Sequence, residues 1–102
     1  MNQDLSLIHR LGDSVEILAT GKGDTRSRLK IVAPTLLPIE KSALPKKFHK
    51  NWAWIWKTLS KYEPEWKYDN RINASLRRIK NSTGQKIAKI IFNIWKSVIN
   101  IT

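Results

Sequence analysis

The sequence predicts an all-α fold: a small single domain over residues 1–102, built as a bundle of four to five helices in irregular or orthogonal packing. Three observations lead there. Apolar residues recur at spacings of three and four along most of the chain. Glycine, proline and N-cap residue types stand where those runs need ends. Hydrophobic residues make up 41% of the chain against 26% charged, enough for a core but a modest one at this length.

The first helix is expected over about residues 4–20. Ile8, Leu11, Val15 and Leu18 share one face, Asp4 is the expected N-cap and Gly21 the C-terminal stop. Gly12 inside it costs about 1 kcal/mol relative to alanine, so it marks a close contact with another helix. Asp24 is read as the N-cap of a second helix whose apolar residues are Leu29, Ile31, Val32 and Leu36, but Pro34 removes a hydrogen bond and crowds the preceding turn, so the helix should stop near Ala33. An irregular stretch from Pro34 to Leu44 follows.

Pro45 suits the first position of a third helix, in which Phe48, Trp52, Ile55 and Leu59 recur at helical spacing. The alternation of Trp52, Trp54 and Trp56 also fits a strand, but the flanking spacing favours a helix, ending at Glu63-Pro64-Glu65. A fourth helix is expected from about Asn70 to Asn81, with Ile72, Leu76 and Ile79 facing inward. A fifth runs from Thr83 to Ile101 through Ile87, Ile91, Ile94 and Val98. The last two meet at a joint or form one long kinked helix. The apolar arc of the fifth covers more than half of its wheel. It is therefore the central helix of the bundle, an interface for a homo-oligomer or complex, or a membrane-surface helix.

The charge is the unusual feature. Nineteen lysines and arginines face eight acids, a net +11. Residues 1–25 hold two bases and four acids, net −2, so residues 26–102 carry +13. Such asymmetry favours polyanionic partners by long-range attraction. The chain has no cysteine, which excludes disulfides and thiolate metal sites. The N-terminus does not read as a signal peptide and no apolar run is long enough to cross a membrane, so the expected compartment is the cytoplasm.

Catalytic chemistry finds no constellation. His9 and His49 lie in no ligand or triad pattern, and Glu63 and Glu65 read as solvated turn residues. The run from Thr20 to Thr25 lacks the spacing of a phosphate-binding loop and fits a corner between helices. The expectation is a non-enzymatic protein without cofactor or metal.

Binding chemistry is better supported. On a helical wheel Trp54 falls opposite the apolar arc of the third helix, among Lys46, Lys47, Lys50, Lys57 and Lys61. A tryptophan there can stack a nucleobase while ammonium groups hold the backbone; alternatively it packs against the 34–44 stretch or a partner. On the fourth helix Arg71 and Arg78 share a face with Arg77 at its edge, and guanidinium forks suit phosphates. The start of the fifth helix, with Lys80 and Lys86 beside free N–H groups, offers an anion site, although Ser82 or Thr83 serving as a simple N-cap is favoured. The expected function is nucleic-acid binding (DNA or RNA), with Lys50, Lys57, Lys61, Arg71, Arg77 and Arg78 neutralising phosphates and Trp54 as a stacking platform. The alternative is a protein-interaction subunit, such as an adaptor, an inhibitor or a small component of a bacterial or phage-type assembly, meeting an acidic protein through the basic face and the fifth helix.

Overall fold

A computed structural model describes residues 5–100 and gives five α-helices with no strand among them: α1 Leu5–Thr20, α2 Thr25–Leu36, α3 His49–Leu59, α4 Arg71–Arg78 and α5 Asn81–Ile99. α1, α2 and α5 pack on one another, α4 packs on α2, and α3 packs on α4 and on the two 3-10 turns that precede it. One core joins them: Leu7 and Leu11 from α1, Leu29, Val32 and Leu36 from α2, Trp52, Ile55 and Leu59 from α3, Leu76 from α4, and Ile87, Ile91 and Ile94 from α5. The expected Asp4 cap and Ile101 lie outside the described residues.

α5 is central. Ile87, Ile91 and Ile94 are buried, and Ile90, Trp95 and Val98 pack against the core from its edges. Of its wide apolar arc, Phe92 and Ile99 remain the large exposed residues among those described. Two glycines let its neighbours close in. A Cβ on Gly12 would sit 3.2 Å from the Trp95 ring nitrogen, and one on Gly84 would sit 3.3 Å from the Arg26 Cγ. The Gly12 contact fulfils the sequence expectation; Gly84 is a second close approach that the expectation missed.

Helix ends depart from expectation in ways the local chemistry explains. α2 runs through Pro34 to Leu36, with the Leu37 N–H still bonded to the Ala33 carbonyl (2.8 Å). Proline removes the donor for the Lys30 carbonyl, but Val32, Ala33 and Leu36 are all buried, and that burial outweighs the lost bond. The Asp24 cap is as expected: its carboxylate accepts the Ser27 N–H at 2.9 Å. That bond and the Arg26 guanidinium hold its pKa below the usual carboxylate range.

Pro45 stands one step outside its expected place. It is extended and precedes a 3-10 turn over Lys46–Phe48, with α3 beginning only at His49. α3 then stops at Leu59, short of Glu63, because the Ser60 hydroxyl donates to the Trp56 carbonyl at 2.6 Å and takes over the last turn. Asn70 caps α4 by accepting the Asn73 N–H at 2.8 Å. α4 ends at Arg78, before Asn81, where Ile79 and Lys80 are extended, so α4 and α5 are separate helices. Arg26 donates to the Ile79 carbonyl across this break at 3.1 Å.

Candidate nucleic-acid interface

The basic residues divide by type. Each described arginine donates to an acceptor within the protein: Arg10 to the Thr35 carbonyl, Arg26 to Asp24 and Ile79, Arg28 to the Leu18 carbonyl, Arg71 to Glu63 and the Ser60 carbonyl, Arg77 to Asp69, Arg78 to Glu65. All four ion pairs among the described residues use arginine, and no lysine takes part in one. The guanidinium fork suits bidentate internal bonding, whereas an ammonium is a strongly hydrated point charge that stays in water.

The arginine face expected on α4 is therefore not a free face. Arg71, Arg77 and Arg78 each meet a carboxylate from the 60–70 loop that precedes the helix. Glu63 and Glu65, read as solvated turn residues, are two of those partners. The third, Asp69, has a side chain only 2% exposed. Its carboxyl is held below the usual range by the Arg77 guanidinium first, and by the N–H groups of Asn70 and Glu65. The same bond raises the Arg77 pKa, and the Arg78 bond lowers that of Glu65. Three acids followed by three arginines over residues 63–78 was the signal in the sequence.

The lysines gather elsewhere. Lys47, Lys50, Lys57 and Lys61 are exposed and recur at three, seven and four residues, one stripe from the turn before α3, along the helix and into the loop after it. Trp54 lies within this stripe, but it does not stand free as the wheel suggested. It is half-buried and packs against the core, with the Lys86 ammonium of α5 4.9 Å from its ring centroid. At the other end of the stripe, Lys47 and Phe48 face Asn93, Lys96, Ser97 and Asn100 across an open groove of about 720 Å³. Lysines of α3 and α5 thus meet one surface at two places, where Lys86 lies over Trp54 and where Lys47 and Lys96 line one groove, a lysine seam with no acid from residue 41 to 62 or from residue 70 to 102.

Two further expectations meet the structure at the start of α5 and at the histidines. Neither Ser82 nor Thr83 caps α5; the helix begins at Asn81, and Lys80 at the N-cap position makes no side-chain cap bond. His9 is exposed on α1, while the His49 Nε2 lies 3.0 Å from the Leu44 carbonyl and helps to fix the turn before α3. Among the described residues no group of three His, Cys, Asp or Glu side chains is placed to hold a metal ion.

Compared with protein-family models, curated proteins and solved structures, the chain matches none at a significant level.

Proposed function

We propose that the chain binds nucleic acid through the lysine seam between α3 and α5. The reading keeps Lys50, Lys57 and Lys61, adds Lys47, Lys86 and Lys96, and withdraws Arg71, Arg77 and Arg78, whose charges are met internally. The observation that carries it is the contact of Lys86 with Trp54 together with the groove that Lys47 and Lys96 both line, which brings lysines of two helices to one surface with no carboxylate paired to them. A row of ammonium groups that no carboxylate neutralises matches a row of phosphates and releases counterions when it binds one.

The slope of log affinity against log salt tests this. Six lysine contacts give a slope of about −4 on a single strand and about −5 on duplex DNA. Negligible binding at physiological salt, or a slope near zero, would remove the reading.

The protein-interaction alternative has one observation of its own. Ala33, Pro34, Leu37 and Ile72 line an apolar cleft of about 460 Å³ between α2 and α4, away from the seam, and Leu37 is 54% exposed. The bundle covers most of the apolar arc of α5 and leaves Phe92 and Ile99 as its large exposed residues.

A further inference from the structure

Trp66 and Tyr68 are 59% and 78% exposed, more than any other aromatic side chain among the described residues. They lie in the 60–70 loop, which contains no helix or strand. An aromatic ring ordinarily buries a large apolar area, so two of them left in water on adjacent alternate positions call for a physical account.

The loop that holds them is anchored. The Asp69 N–H bonds back to the Trp66 carbonyl at 3.1 Å and closes a four-residue turn over 66–69. The enclosed Asp69 carboxylate joins Arg77 and the Glu65 N–H, and Glu65 itself pairs with Arg78. At the loop's start the Tyr62 N–H donates to the Ser75 hydroxyl, which is buried on α4, at 3.0 Å. Both shoulders of the turn are thus tied to α4. Exposed rings on an anchored turn lose little freedom when a ligand meets them.

We propose that this turn stacks unpaired bases of a single nucleic-acid strand whose phosphates follow the lysine seam. The proposal rests on the nucleic-acid reading above and narrows it to unpaired strands. The two rings meet edge to face, with centroids 6.2 Å apart and planes at 69°. They are not stacked on one another, and π surface remains open for a base. Lys67 lies 5.2 Å from the Tyr68 centroid, and Lys61, the last lysine of the stripe, stands at the start of the same loop, 5.6 Å from the Tyr62 ring. The stripe therefore runs directly into the loop. Aromatic rings beside a basic track are the recognition elements for single strands, whereas the bases of a duplex are already stacked on each other.

The test compares oligo(dT) and oligo(U) of about 15 nucleotides, a length within the usual site size, with a duplex of similar length, each titrated into the full chain. Trp66→Ala is expected to weaken binding of whichever strand binds by about 5- to 150-fold, the range for losing one stacked base. Its salt slope and its affinity for the duplex should not change, and Trp66→Phe should restore most of the loss. Tyr68→Ala provides a second variant, and a thermal melt checks that each folds. No loss on the strand, or an equal loss on strand and duplex, overturns the stacking proposal while leaving the lysine seam standing. If the unmodified chain binds none of the three probes at physiological salt, the seam itself is overturned.

Discussion

The two basic regions of this molecule do different things with their charge. Around α4, three arginines face three carboxylates and pin a loop to a helix. Along α3 and α5, six lysines face none. The net +11 of the chain is therefore a poor guide to where a polyanion would sit. What matters is which cations the fold has left without a carboxylate partner, and here the residue type separates them.

The largest effect expected from breaking this contrast is on the lysine side. Replacing Lys47, Lys50, Lys57 and Lys61 together with alanine should flatten the salt slope on a single strand by about 3 and lower affinity near physiological salt by roughly two orders of magnitude. All four are exposed, so the melting temperature should scarcely move. Retention of full affinity in this variant would place the binding surface elsewhere.

The next effect lies on the arginine side and is one of stability. Asp69→Asn keeps the size of the side chain but removes the charge that Arg77 and two backbone N–H groups converge on. The melting temperature should fall by more than for any single lysine of the seam, with the salt slope unchanged. The pH dependence has a definite sign. Asp24, Glu65 and Asp69 all have lowered native pKa values, so their stabilisation is complete above the ordinary carboxylate range near 4 and is lost as pH drops through the native values. Melts should be constant from neutral pH down to about 5 and decline below 4, and Asp69→Asn should blunt that decline.

The smallest effect sharpens the contrast most. Arg78→Ala should change the salt slope by less than the ~0.7 expected for one lysine on a single strand, because Arg78 is held by Glu65. A change as large as that of Lys57→Ala would mean that the ion pair opens on binding, and the division between the regions would fail.

Much of the fold was legible in the sequence. The five helices, the Asp24 cap and the Gly12 contact all follow from spacing and side-chain chemistry. Helix ends were less so, because they were decided by tertiary events. Burial of Leu36 carried α2 past a proline, and Arg26 drew the Ile79 carbonyl out of α4 from 53 residues away. The lysine stripe was legible as a stripe, but its pairing with α5 was not, since a helical wheel shows one helix and not its neighbour. For that reason the wheel placed Trp54 opposite the apolar arc and left its packing open, whereas it is half-buried against the core with Lys86 over its ring. Trp66 and Tyr68 escaped notice because they have no periodicity. They stand out only through the anchoring of their loop.

The bond from Arg26 to Ile79 also bears on how the chain reaches this fold. α1 and α2 are neighbours in sequence and can pair early, but α5 joins them only after the intervening excursion through α3 and α4 has doubled back. Closing a span of that length costs about 3–4 kcal/mol of chain entropy, before the buried isoleucines of α5 can repay any of it. The kinetic bottleneck then falls at the return of α5 to α2, near Gly84. Substitutions at that crossing should slow refolding, while those in the 60–70 loop should chiefly hasten unfolding.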